Sequence, residues 1–171
     1  MDFRGVTEFF KDTFKYIVVA ILVFLLFIYV IGLQQVVGPS MTPTLNEGSV
    51  VVVNKLNKKP KREEVIVLSE AEKYMVKRVI GLPGEYIEYK DNVLYINGEK
   101  YEEHYLKDNV VTEDFTLNDL NYTVIPEDMY LVLGDNRMDS MDSRDYGLIK
   151  KDKIIGKVMM NIWPFNKIRI F

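Results

Sequence analysis

"SVVVVNKL" spans Ser49 to Leu56, and its reading decides the fold. Here the chain passes from an apolar stretch of helical character to short β-branched runs separated by turn residues, the pattern of an all-β domain. Further runs of the same kind follow: "VIVL" (Val65 to Leu68), "YMVKRVI" (Tyr74 to Ile80), "YIEY" (Tyr86 to Tyr89), "VLYI" (Val93 to Ile96), "YLVL" (Tyr130 to Leu133), "IIGKVMM" (Ile154 to Met160) and "KIRIF" (Lys167 to Phe171). A hairpin is predicted at Lys90 to Asn92 and a second turn at Asn97-Gly98. "NKKPKREE" (Asn57 to Glu64) reads as a solvated, proline-broken loop. Tyr101 to Asp128 is polar and poorly periodic, and its pattern predicts loop with some strand or a short helix.

Toward the N-terminus the stretch "YIVVAILVFLLFIYVIGL", Tyr16 to Leu33, carries no charge and no proline. Its length is close to the ~20 residues a helix needs to cross a bilayer. As a buried core helix, a surface apolar all round would need a far larger protein to enclose it. As a signal sequence, the run is too long and "GLQQVVGPS" offers no A-x-A-like site. Arg4, Lys11 and Lys15 precede the run and no basic residue follows it until Lys55, which predicts a cytoplasmic N-terminus. Tyr16 and Tyr29 suit the two interfaces. The expected division is therefore 1–15 cytoplasmic, 16–33 membrane helix and 34–171 extracytoplasmic.

Composition narrows the function. Among 171 residues, 22 are basic and 25 acidic, for a net charge of -3, so no nucleic-acid footprint is evident. The chain has no cysteine, which excludes disulfides, thiolate metal sites and cysteine nucleophiles. No metal and no cofactor is expected.

Three stretches stand out chemically. In "VVGPSMTPTL", Val36 to Leu45, Ser40 lies between prolines in a segment too short and broken for ordinary core. In the strand around Lys77, Met75 and Val79 share its face while Val76 and Ile80 share that of Arg78, so at least one cation is pressed toward an apolar environment. Either cation can snorkel to water from an edge. A lysine base needs the opposite, because lowering its pKa from ~10.4 to near 7 takes roughly 4.6 kcal/mol of desolvation penalty against the charged form. Arginine does not lose its proton, so Lys77 is the candidate base. A serine nucleophile needs such a base, and the one histidine, His104, lies in the polar run "YEEHYLKDN" and reads as a surface residue. The third stretch, "LGDNRMDSMDSRDYGLI" (Leu133 to Ile149), fails the calcium-loop spacing because Arg137 stands at the third position from Asp135. It reads as a self-braced loop with pairs such as Asp142 with Arg144, or as an ordinary solvated one.

Taken in order after an apolar helix, "GPSMTPTL", "YMVKRVIGLPGE" and "GDNRMDSMDSRDYG" together resemble the signatures of bacterial type I signal peptidases. The likeness runs over nearly the whole chain, including "YINGE" and "WPF". The short middle region and single helix are similar to the compact Gram-positive members, and a lysine at position 77 sets the chain apart from endoplasmic-reticulum relatives, which have histidine. The resemblance implies a mainly β fold of two antiparallel sheets, with residues 34–171 forming a serine protease domain. It implies Ser40 as nucleophile, with its N–H in the oxyanion hole, and Lys77 as general base. Ser140 is implied to orient the lysine, and Asp142 and Arg144 to shape the site. Gly38 replaces the serine that supplies a second oxyanion donor in many relatives, and Asp139 stands where asparagine is commoner. The implied partners are the bilayer and the signal peptides of exported preproteins, bound as extended strands with small residues at the first and third positions before the cut. Met75 and Val76 would border that strand. One other reading remains open on residues alone, an anchored β-domain that binds exported chains without cutting them; a self-cleaving repressor-type protease would need a DNA-binding domain before the catalytic part, and Met1 to Leu33 cannot be one.

Distance supports the membrane reading. Seven residue steps from Leu33 to Ser40 reach at most about 23 Å, so Ser40 is expected close to the outer membrane surface.

Overall fold

The computed structural model describes residues 3–56, 58–70, 73–107 and 109–171. Met1 and Asp2 of the predicted cytoplasmic segment, Asn57 of the predicted charged loop and Asp108 of the polar stretch lie outside the described residues, as do the side chains of Arg4 and Lys11.

The fold is one long helix followed by two antiparallel sheets. Helix α1 covers Phe3–Val30, and its segment Thr13–Val30 is apolar, long enough to cross a membrane and not buried by the rest of the chain. Among the described residues twelve strands follow, β1 (Ile31–Gln35), β2 (Val50–Asn54), β3 (Val65–Glu70), β4 (Lys73–Gly81), β5 (Ile87–Lys90), β6 (Val93–Ile96), β7 (Glu99–Tyr101), β8 (Phe115–Thr116), β9 (Met129–Leu133), β10 (Ile149–Lys150), β11 (Ile154–Trp163) and β12 (Arg169–Ile170), with a one-turn helix α2 (Ser143–Tyr146) between β9 and β10. The larger sheet runs β1-β2-β11-β3-β4-β9-β10, with β12 also on β11. The smaller runs β7-β6-β5-β8.

Each β-branched run named above became a strand. Both predicted turns are tight: Asp91 and Asn92 have φ of 51° and 62°, Asn97 and Gly98 of 53° and 85°. Two positive φ values in a two-residue loop match the twist of a hairpin, and they close Lys90 onto Val93 and Ile96 onto Glu99.

The apolar run Tyr16 to Leu33 is not helical throughout. Helix gives way to strand at Ile31, and Ile31 to Gln35 pair with Asn54 to Val50. Gly32 explains the change locally, since a Cβ there would lie 2.6 Å from Cε of Lys55, and glycine is poorly suited to a helix interior. No loop separates the helix from the sheet, and the Lys55 N–H donates to the last helical carbonyl, that of Val30, at 2.9 Å.

Three apolar clusters hold the body together. One joins Val36, Met41 and Leu45 to Val51, Val53, Val65, Val67, Val76 and Val158. The Ser40 segment is therefore core after all at three of its positions, contrary to its broken appearance in sequence. A second cluster, with Ile80, Leu131 and Leu133 of the larger sheet and Ile87, Tyr89 and Leu94 of the smaller, packs the two sheets against each other. The third lies under β3, β4 and β9.

Candidate active site

Ser40 sits in a turn following β1, pinned on either side by buried Val36 and Met41. The Thr42 N–H donates to the carbonyl of Pro39 at 2.9 Å, so the turn is closed immediately around the serine. Gly38 has φ of +80°, a conformation that glycine tolerates without steric cost. Ser40 itself is partly exposed, and its hydroxyl makes no hydrogen bond to another described residue.

Lys77 and Arg78 are both buried, at 3% and 5% exposure, so neither reaches water from a strand edge. They differ in how their charge is met. Arg78 forms a two-pronged ion pair with Asp135, Nε to Oδ1 at 2.8 Å and Nη2 to Oδ2 at 2.6 Å, and also donates to the Glu63 carbonyl. Its guanidinium lies 4.1 Å from the ring centre of Tyr105. Lys77 has no carboxylate in direct contact and donates instead to the Ser140 hydroxyl at 3.1 Å. Burial lowers its pKa to about 8, against the opposing pull of the Asp142 charge. Loss of its proton is therefore accessible under mild conditions.

Ser140 passes the chain on. Its hydroxyl donates to Oδ2 of Asp142 at 2.8 Å, leaving its oxygen to accept from Lys77. Asp142 is wholly buried and also accepts from the Gly134 N–H at 3.0 Å and from Nε and Nη2 of Arg144 at 2.8 and 2.9 Å. Burial alone would raise its pKa, but those donors hold the carboxyl below its usual value. The local sequence explains the shape. Asp142 is the N-cap of α2, and the Asp145 carboxylate returns to the Asp142 N–H at 2.8 Å, so "DSRD" closes a capping box.

The same loop holds the serine. The Asn136 N–H donates to the Ser40 carbonyl at 2.9 Å, and its side-chain amide to that of Pro39 at 3.2 Å. A Cβ at Gly134 would stand 2.2 Å from Oγ of Ser140 and 2.4 Å from the Ser40 carbonyl oxygen. One point thus separates the serine segment from the lysine's partner, and only glycine leaves it empty. Gly134→Ala is expected to lower catalytic activity at least 100-fold while costing 1–3 kcal/mol of stability, roughly the range for overpacking. Steady-state kinetics beside thermal unfolding would check this, and near-normal kcat would show that the two segments need not meet so closely.

Of the residues picked from sequence, Lys77, Ser140, Asp142 and Arg144 are joined in one hydrogen-bonded chain, and Ser40 is brought to the same loop through its backbone. Met75 and Val76 lie just beyond Lys77 on β4. β9 pairs with β4 only from Arg78 to Gly81, then leaves the sheet at Gly134. On that side the stretch from Lys73 to Val76 has no described strand beside it. Val76 packs with Val36 and Met41, whereas Met75 contacts the Tyr146 hydroxyl through its sulfur at 3.5 Å. Asp139 is exposed, and so is His104.

A second charged group escaped the sequence reading. Arg137 is buried and pairs with Glu103 of the polar stretch, not with a neighbouring aspartate. It also donates to the hydroxyls of Thr112 and Tyr89 at 2.7 and 3.1 Å, and through Nε to the Gly134 carbonyl at 3.1 Å. This ties the smaller sheet to the loop carrying Ser140. The motif held the arginine, but nothing local marked Glu103 as its partner.

Comparison with known proteins places these features in a group. Residues 9–163 match the family model described as signal peptidase, peptidase S26. A signal peptidase I of Bacillus caldolyticus is 43% identical over 152 residues, covering 82% of this chain and 84% of the relative. A signal peptidase IB of Staphylococcus aureus is 38% identical, covering 93% and 94%. A crystal structure of a signal peptidase I from Enterococcus faecalis superimposes with a TM-score of 0.53 at 40% identity, covering 58% of this chain and 96% of that one.

Proposed function

The chain belongs to the signal peptidase family, peptidase S26, and from that premise we propose that it is a membrane-anchored serine endopeptidase that removes signal peptides from exported preproteins. The observation that carries the mechanism is Lys77. It is buried without a carboxylate in contact, burial lowers its pKa to about 8, and it is held by Ser140 beside the loop that grips Ser40.

In the proposed reaction the neutral Lys77 amine takes the Ser40 proton as Oγ attacks the carbonyl of the scissile peptide. Ser140 fixes the amine by accepting one of its N–H groups, which leaves the nitrogen lone pair for the serine proton. The tetrahedral oxyanion is met by the Ser40 N–H, a donor fixed before reaction and placed where charge develops. Gly38 offers no side-chain donor, so any second donor is supplied by backbone. The Lys77 ammonium then returns its proton to the leaving amine, and the acyl-enzyme is opened by water with Lys77 again as base. Asp142 and Arg144 neutralise one another, so the Ser140 link is braced without a strong net field on the lysine.

Substrate binding follows from the open side of β4. An extended preprotein segment adds there as a strand beside Lys73 to Val76, gaining main-chain hydrogen bonds. The valine-lined floor shared by Val76 and Val36 favours small side chains before the cut. With α1 in the bilayer and its N-terminus cytoplasmic, the catalytic body stands on the outer face, where an inserted signal sequence presents its cleavage site.

The test is to incubate the full chain in detergent with a preprotein bearing an A-x-A site and to sequence the new N-terminus. Cleavage after the second alanine is expected. A preprotein held but left intact would support the anchored binding domain instead.

A further inference from the structure

Between the end of α1 and the face of β1 and β2 lies a cleft of about 430 Å³. Its walls include Phe27, Ile31, Leu33 and Val52, and its one charged residue is Lys55. No carboxylate lines it. Phe27 and Leu33 are 60% and 67% exposed, so the apolar wall is continuous with the outward surface of the helix.

Lys55 is placed, not merely present. Its N–H is spent on the Val30 carbonyl, and its side chain lies across Gly32, where a Cβ would come within 2.6 Å of Cε. Its ammonium makes no hydrogen bond or ion pair with another described residue. The surrounding sequence has the same sign: from Ile31 to Arg62 there is one acidic residue, Glu47, against Lys55, Lys58, Lys59, Lys61 and Arg62.

We propose that this cleft binds one anionic phospholipid from the leaflet on the catalytic side, its acyl chain along Phe27, Leu33 and Val52 and its phosphate on Lys55. The inference rests on the anchored reading of α1. The apolar wall then opens into hydrocarbon, where lipid is already concentrated and water-soluble ligands are not. Headgroup choice follows from charge. A choline or ethanolamine group would bring a second cation beside Lys55 with no carboxylate to receive it, whereas a glycerol headgroup leaves the phosphate as the only charge. A juxtamembrane lysine contributes about 1 kcal/mol toward anionic lipid, or about fivefold in affinity.

The experiment uses the full chain in detergent with equal amounts of phosphatidylglycerol and phosphatidylcholine, retained lipid being counted by native mass spectrometry. One phosphatidylglycerol per chain is expected, retained at least fivefold over phosphatidylcholine, with that preference lost in Lys55→Gln and kept in Lys58→Gln, a charge loss outside the cleft. Equal retention of both lipids overturns the proposal. So does an unchanged preference in Lys55→Gln, or an equal loss in Lys58→Gln, which would mark a diffuse surface field. Membrane fractionation separates the two readings: a chain absent from membranes removes the anchor itself, while a chain in membranes without the preference removes only this site.

Discussion

Ser40→Ala is expected to lower preprotein cleavage by at least about 10⁴-fold, the scale of losing a nucleophile, while leaving unfolding temperature within a degree or two. The contrast follows from what the side chain does in the fold. Its hydroxyl contacts no described hydrogen-bond partner, and the groups that hold the turn belong to the backbone and to Val36, Met41 and Leu45. Removing one oxygen leaves all of these in place. Ser140→Ala makes the informative comparison, because Ser140 is the serine whose hydroxyl actually touches Lys77. Its proton is committed to Asp142, so it acts by positioning. Its loss is expected to lower kcat by 10- to 100-fold, roughly the worth of one well-placed hydrogen bond to a charged group, and to displace the rising limb of the pH profile, on the acid side of its plateau. If Ser140→Ala were the dead variant and Ser40→Ala the partial one, the two roles would have to be exchanged.

Lys77→Met is expected to abolish cleavage and yet to stabilise the protein at neutral pH. The folded state holds this lysine at a pKa of about 8 against 10.5 for the free side chain, so the unfolded chain binds the proton more tightly. Unfolding therefore gains from protonation, and the cost to the fold is fully present below pH 8, on the order of 3 kcal/mol. It shrinks as pH rises from about 8 through 10.5, above which both states are neutral. Methionine has a similar length and no charge to desolvate, but it forfeits the hydrogen bond to Ser140, worth about 1 kcal/mol. The variant should then exceed wild type by about 2 kcal/mol at pH 7, and the two unfolding free energies should converge, then cross, as the buffer approaches pH 10. Urea unfolding at a series of pH values measures this directly. A pH-independent difference would mean that Lys77 keeps the ordinary lysine pKa in the folded state. In wild type the same ionisation should make kcat/KM rise with unit slope and level off near pH 8.

Much of this site could be read from sequence because its parts are local. Asp142 meets Arg144 two residues away, and the capping box that shapes α2 is four consecutive letters. Lys77 could be singled out because strand alternation left a cation among apolar neighbours. What could not be read is pairing at a distance. Arg137 has aspartates two residues to either side but turns to Glu103, since Asp135 is taken by Arg78 and Asp139 is exposed. Arg78 was separable from Lys77 by its chemistry, but its choice of Asp135 depended on β4 and β9 becoming neighbours. The strand character of Ile31 to Gln35 was hidden because an apolar run is compatible with both helix and strand, and only the edge of β2 decides between them. Short strands such as β7 and β10 are not marked in sequence for a similar reason, and β8 falls in the stretch from Tyr101 to Asp128 where some strand is expected but not placed: at two or three residues, pattern carries almost no information and the partner supplies the order.

The direct passage from α1 into β1 has a mechanical consequence. A hinge would let the catalytic body swivel while its anchor tilted. Here the last helical residue is followed at once by a strand paired across five positions, so rotation of the helix is transmitted to the sheet as through a rigid lever. If α1 lies in lipid as proposed, a bilayer that tilts the helix would turn the catalytic body with it.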